Sequence, residues 1–176
     1  MFTLQDFERI KCEKQGIEEA ILFSIERDGF AYAMSCLNSK ERGDYAESMV
    51  RDGLRDMGYR VEHLGGAINR YDLKINHSIR AEVKMATFRK SGRYVCEKVK
   101  PELFDIVFML FLTPDGMVIR WATTEDVQDW ASWHKRGKEG YSISFNRFLD
   151  NHHMRYRDFD SFLYYYHPKR LKYLAC

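Results

Sequence analysis

The sequence predicts an α/β (α+β) fold: a central mixed sheet of about four to five strands flanked by helices, preceded by a helical N-terminal extension. Three stretches carry that prediction. Residues 68–84 alternate apolar and polar side chains on either side of a short polar turn, the period of two expected of half-buried strands. Phe104 to Leu112 is the most apolar run in the chain, too short to cross a membrane and too continuous for a half-exposed strand, so it belongs at the sheet centre. Ahead of both, Ala46, Met49, Val50, Leu54 and Met57 recur at helical spacing.

A chain of 176 residues with 45% hydrophobic and 15% aromatic residues can bury a substantial core. With 3 prolines and no Ser/Gly-rich linker it reads as one domain, divided into a helical extension (1–43), a core (44–134) and an aromatic and basic C-terminal elaboration (135–176). Net charge is only +2, but it is unevenly spread. Residues 1–50 carry six Lys/Arg against ten Asp/Glu, residues 80–100 seven against two, and residues 155–176 five against two. A basic zone beside an acidic pair suits a polyanionic partner. Cys12, Cys36, Cys96 and Cys176 form no CxxC and no zinc spacing, which predicts thiols in a reducing compartment. Nothing reads as a signal peptide, and no apolar run reaches the roughly 20 residues of a membrane helix. The expectation is a cytoplasmic protein with no membrane partner.

In chain order, residues 4–39 read as two helices broken at Asp28-Gly29, and Asn38 to Gly43 as a polar connection. Asp44 and Glu47 have the spacing of a capping box opening the core helix, which Gly58 closes in the left-handed conformation. Tyr59 to His63 is the first core strand, followed by a Gly65-Gly66 loop and then the hairpin. Beyond Lys84, residues 85–93 read as a basic, mobile turn, Tyr94 to Val99 as an edge strand, and Lys100 to Leu103 as a helical turn started by Pro101. Thr113 to Gly116 is a turn, and Met117 to Thr123 the next strand. Thr123 or Thr124 caps a helix through Trp130 and Trp133. The closing run, Phe159 to Tyr173, interleaves aromatic and basic side chains; it fits an edge strand or subunit interface better than a surface for stacking bases.

The chemistry concentrates in the hairpin. If Asn76, His77 and Ser78 make the loop, Ile75 pairs with Ile79, Lys74 with Arg80, Leu73 with Ala81 and Asp72 with Glu82. One face is then apolar, and the other sets two carboxylates opposite each other with Lys84 one step along. Facing carboxylates destabilise a sheet unless compensated, and a divalent cation with oxygen ligands would compensate them. A two-residue loop would shift the parity and move Asp72 to the other face, and the bland reading of the whole is a solvated hairpin of mixed charge.

Asp72 followed by Glu82-Val83-Lys84 resembles the PD-(D/E)XK motif of restriction-endonuclease-like nucleases, with Tyr71 where the motif's name has proline. The resemblance covers roughly residues 44–123, whose helix-then-three-strands order is that of the family's core. A second acid-x-Lys triplet, Asp72-Leu73-Lys74, would take Glu62 as upstream acid but leaves too short a strand. The resemblance implies a restriction-endonuclease-like core and a DNA endonuclease that hydrolyses phosphodiesters with Mg²⁺ or Mn²⁺. Asp72, Glu82 and the Val83 carbonyl would be metal ligands, with Lys84 orienting water or stabilising the transition state. Glu47 sits where many members carry an additional glutamate, although it equally serves as Asp44's capping partner. Arg89, Lys90 and Arg93, just past the motif lysine, are the expected phosphate contacts, and Arg70 stands beside the site.

The resemblance further implies DNA as partner and a homodimer or higher symmetric homo-oligomer. Site-specific duplex cleavage of restriction or homing type is the first reading. A Holliday-junction resolvase is the alternative, since Glu47, Asp72, Glu82 and Lys84 resemble the archaeal resolvase set. A non-catalytic nucleic-acid-binding protein on the same fold is the third. His134, Asn151, His152, His153 and His167 resemble only loosely the content of a ββα-metal nuclease, whose frame and spacing are missing.

Overall fold

In the computed structural model, which describes residues 37–64, 71–89, 91–113, 116–131, 140–146 and 156–166, the first helix opens earlier than the sequence predicts. Helix α1 spans Ser39–Asp56. Its cap is Asn38, whose side chain accepts from the amides of Lys40 and Glu41 at 2.9 and 3.0 Å while the Glu41 carboxylate takes the Asn38 amide at 2.7 Å. The capping box is therefore Asn38/Glu41, not Asp44/Glu47, and the stretch expected to be a polar connection is helical. The reason is local: the Asn-x-x-Glu box satisfies first-turn amides, and Lys40 and Asp44 pair one turn apart. Gly43, the glycine in this opening stretch, costs only about 1 kcal/mol against these gains. Ala46, Val50 and Leu54 form the buried stripe, and Gly58 takes the expected left-handed conformation at φ 90°.

The fold is mixed α+β around a mixed sheet. Its strands are β1 (Val61–His63), β2 (Leu73–Ile75), β3 (Ile79–Arg89), β4 (Arg93–Val99), β5 (Ile106–Thr113), β6 (Gly116–Thr123), β7 (Tyr141–Asn146) and β8 (Arg157–Asp158). Six lie in one line, β1-β2-β3-β5-β6-β8, one more than the upper end of the expected range. The β3–β5 pair is parallel and the other pairs are antiparallel. The far end of β3 pairs with β4, and β4 in turn with β7.

β5 lies in the middle of this line and is buried on both faces, as its unbroken apolar run predicts. Ile106, Phe108 and Leu110 join α1, Trp121 and Phe162 in one core cluster. Val107, Met109 and Phe111 join Tyr94, Ile143, Phe145 and, from helix α2 (Thr124–Ala131), Val127 in the other. The sheet is thus a wall between two cores.

Three expectations are corrected here. β3 does not give way to a mobile turn after Lys84 but continues to Arg89, because Thr87, Phe88 and Arg89 find partners in Val95, Tyr94 and Arg93. β4 is not an edge strand, since it is paired on both sides. The aromatic C-terminal run is not an edge strand in its described part, although Tyr164 and Tyr165 stay exposed. Phe159–Ser161 is a 3₁₀ turn and Phe162–Tyr165 a one-turn helix, α3. Phe162 is fully buried, with ring centroids 5.2 Å from Tyr59, 5.3 Å from Trp121 and 5.4 Å from Phe108. An aromatic side chain of this size contributes more by filling a core than by decorating an edge.

The helices expected up to residue 36, the turn at 114–115, Trp133, the histidines at 134, 152, 153 and 167, and the rest of the aromatic run lie outside the described residues. Among those described, no helix is long and apolar enough to cross a membrane.

Candidate active site

The β2–β3 hairpin has the predicted three-residue turn and register: Ile75 faces Ile79, Lys74 faces Arg80 and Leu73 faces Ala81. Asn76 and His77 adopt positive φ, 47° and 64°, to close it. Asn76 also ties the turn to β1, its amide donating to the Arg60 carbonyl at 2.8 Å and its side chain accepting from the Arg60 amide at 2.9 Å.

The predicted fourth pair is where the ladder departs from regularity. Rather than facing Glu82 in register, Asp72 donates its amide to the Ala81 carbonyl at 3.1 Å. The pairing with β3 ends there, and the next amide on that edge of β3, Val83 N–H, would be left without a strand partner. The Asp72 carboxylate takes it, with Oδ2 accepting at 2.7 Å. A side chain thus stands in for the missing strand, as an unpaired buried amide demands. Since N–H and C=O of one strand residue face the same edge, the Val83 carbonyl lies on the Asp72 side as well.

Glu82 and Lys84 leave β3 on the face opposite the buried Ala81 and Val83. Their side chains are 14% and 24% exposed and form an ion pair. Glu47 reaches the same neighbourhood from α1, directly after buried Ala46 on the helix flank. It has no capping duty, and its Oε2 lies 2.5 Å from His63 Nε2.

Electrostatics tie these groups together. Burial pushes the Glu82 carboxyl above its ordinary range; Lys84 opposes the shift, and the charges of Asp72 and Glu47 add to it. Burial likewise raises Asp72, against the Val83 amide and the charges of Lys84 and His63. Glu47 is raised by burial and by Asp72, with the His63 hydrogen bond opposing. The charges of these three part-buried carboxylates act on one another, and perturbed carboxyls gathered in one place mark a candidate functional site.

The donor set fits a hard divalent cation such as Mg²⁺ or Mn²⁺. Among the described residues no three His, Cys, Asp or Glu side chains gather as a ready-made metal cluster. Asp72 and Glu82 would need the Val83 carbonyl and water to complete a shell, and Mg²⁺ ordinarily retains several waters.

The basic residues do not all join this site. Arg89 is an odd number of residues from Lys84, so strand alternation sends it to the other face, about 17 Å along β3. There it pairs with Glu97 at 2.8 Å and stands in register with Arg93 across the turn. Arg70 and Lys90 lie outside the described residues. The sequence reading passed over His63, which it treated as a strand end. The signal was the strand order itself: a β1 antiparallel to β2 brings His63 beside Leu73, next to Asp72. It also passed over Arg80–Asp105 and Arg157–Asp126, which prove to be structural pairs.

No protein-family model matches the chain, and no curated protein matches it. Among solved structures it is similar to the bacterial homing endonuclease I-Ssp6803I, with 17% sequence identity and a TM-score of 0.48 over 62% of this chain and 78% of that one.

Proposed function

We propose that the protein is a divalent-cation-dependent DNA endonuclease that hydrolyses phosphodiester bonds, cutting duplex DNA at specific sites. The observation that carries this reading is the meeting of Asp72, Glu82 and Lys84 where the β2–β3 ladder ends, with Glu47 near enough for its charge to act on Glu82.

Asp72 and Glu82, with the Val83 carbonyl, would hold the cation. When bound, Mg²⁺ or Mn²⁺ supplies Lewis-acid polarisation of the scissile phosphate and the attacking water. The protein's own groups do the rest. The Val83 amide fixes the Asp72 carboxylate, so its free oxygen is aimed before substrate arrives. Lys84, now paired with Glu82, is the positive group placed to face a phosphate oxygen as negative charge develops. Glu47, its carboxyl raised by burial, stands at the rim as acceptor for the water's proton. Arg89 and Arg93, exposed on either side of the β3–β4 turn, would follow the DNA backbone by charge.

The test is incubation of the full chain with supercoiled plasmid, linear duplex and a four-way junction, with Mg²⁺ and with EDTA, alongside Glu82→Ala and Lys84→Ala. Discrete Mg²⁺-dependent fragments from wild type alone are the expected result. Symmetric nicks confined to the junction would replace duplex cleavage with junction resolution. Binding of DNA without cleavage of any substrate would leave a non-catalytic nucleic-acid-binding protein.

A further inference from the structure

We infer that His63 is a positioning residue that aims the Glu47 carboxylate into the Asp72/Glu82/Lys84 cluster, an inference that rests on the nuclease reading of that cluster.

Glu47 occupies an awkward place. It projects from the flank of α1 with its side chain only 17% exposed, so it has lost water, and the nearby Asp72 charge repels it. Both effects favour a rotamer that swings the carboxylate out to solvent, an easy motion for a long side chain on a helix surface. The contact between His63 Nε2 and Glu47 Oε2 at 2.5 Å opposes that motion. The geometry that delivers it is rigid. His63 is the last residue of β1 and faces Leu73 in the ladder. The next amide, that of Leu64, donates to the Asp72 carbonyl at 3.0 Å. The backbone that carries the imidazole is therefore bolted to the backbone that carries Asp72, and through the imidazole the helix carboxylate is referenced to the strand carboxylate. Without His63, Glu47 and Asp72 belong to separate elements whose mutual charge pushes them apart.

Such orienting partners typically change activity or metal affinity by about 10–100-fold when removed. His63 itself touches neither phosphate nor reacting water in this scheme, so its effect is transmitted through Glu47. A glutamine at position 63 retains an N–H donor at nearly the reach of Nε2 but has no imidazole ring, which separates orientation from ring chemistry.

The experiment compares wild type, His63→Ala, His63→Gln, Glu47→Ala and the His63→Ala/Glu47→Ala double variant in cleavage of plasmid DNA, with thermal melting as a check on folding. Expected are a fall in kcat of about 10–100-fold for His63→Ala with KM for DNA unchanged, recovery of most of it in His63→Gln, and a double variant no worse than Glu47→Ala. In protein labelled with ¹⁵N-histidine, a His63 ring N–H resonance protected from exchange should be present in wild type and lost in Glu47→Ala. Full activity of His63→Ala, a His63→Gln as slow as His63→Ala, or a ring resonance indifferent to Glu47 would each overturn the inference. If wild type cleaves, Lys84→Ala does not and His63→Ala is unaffected, only the positioning role falls. A wild type inert on every substrate overturns the nuclease reading and this role with it.

Discussion

Two sets of carboxylates lie around the sheet and are treated in opposite ways. Asp105 and Asp126 lie where β5 begins and α2 starts. Burial alone would raise both, but donors outweigh it. Asp105 receives the Arg80 guanidinium at 2.6 and 3.1 Å and the Arg80 amide at 2.8 Å. Asp126 receives Arg157 at 2.7 Å, with the Thr123 hydroxyl at 2.9 Å and amide at 3.1 Å. Both are held below the usual carboxylate range. At Glu47, Asp72 and Glu82 burial is not outweighed, and all three stand above it. The two sets differ in the donors supplied and in how strongly burial opposes the charge. The fold gives Asp105 and Asp126 donors enough to outweigh burial and gives the clustered acids fewer, a pattern that the proposed cation-binding role would account for.

Substitutions in the two sets should therefore fail in different assays. The largest effect is expected at Lys84→Ala, with cleavage reduced by about 100-fold or more, as for loss of a preorganised charge at a transition state. Its melting temperature and DNA binding should change little; cleavage kinetics beside a thermal melt read both.

Asp126→Ala should show the reverse pattern. Its side chain is 8% exposed, and stranding Arg157 beside Trp121 and Tyr165 should cost about 3 kcal/mol in denaturant unfolding, with cleavage per folded molecule unchanged.

Acid sharpens the contrast. A carboxyl whose folded pKa is depressed contributes stability that is present above its unfolded pKa of about 4 and lost as pH falls through the folded value. Melting temperature followed downward from pH 5 should fall in wild type and fall less steeply in Asp126→Ala. Retention of the wild-type slope would show that Asp126 does not carry the acid sensitivity.

Asp72→Asn is expected to act modestly and with opposite sign. It keeps an acceptor for the Val83 amide while removing one of three mutually repelling charges, so melting in EDTA should rise, by less than about 1 kcal/mol equivalent. Mn²⁺ should stabilise wild type but not this variant, by linkage of binding to folding. The smallest stability effect belongs to Arg89→Ala, whose pair with Glu97 is exposed and worth less than about 1 kcal/mol. Its DNA affinity should weaken evenly across sequences, with a salt dependence shallower by about one ion.

How far the sequence could be read depended on range. The hairpin was legible because alternation and turn chemistry are both local, and the same holds for β5 and the glycine stop of α1. The start of α1 was misread because two box-like patterns stand six residues apart, Asn38/Glu41 and Asp44/Glu47, with Gly43 between them imitating a break. β4 looked like an edge because its partner in β7 is far along the chain. Phe162 looked like part of an exposed stripe because its contacts, Tyr59, Phe108 and Trp121, come from three separate elements. In the site, the acids and lysine were visible as a pattern, whereas His63 was hidden because its relation to Glu47 exists only once β1 and α1 are packed. Likewise, the bond from the Val83 amide to Asp72 requires a strand that stops, which no local pattern announces.

The turn at Asn76 and His77 has a consequence for anyone wishing to switch the molecule off. Its three residues act as a ruler: they decide which residue of β3 stands opposite each residue of β2, and hence that the Asp72 carboxylate meets the Val83 amide. Shortening the ruler by one residue would reverse that parity without altering any acid or the lysine. A silent scaffold, with every proposed catalytic group still present but out of phase, is therefore accessible through the loop alone.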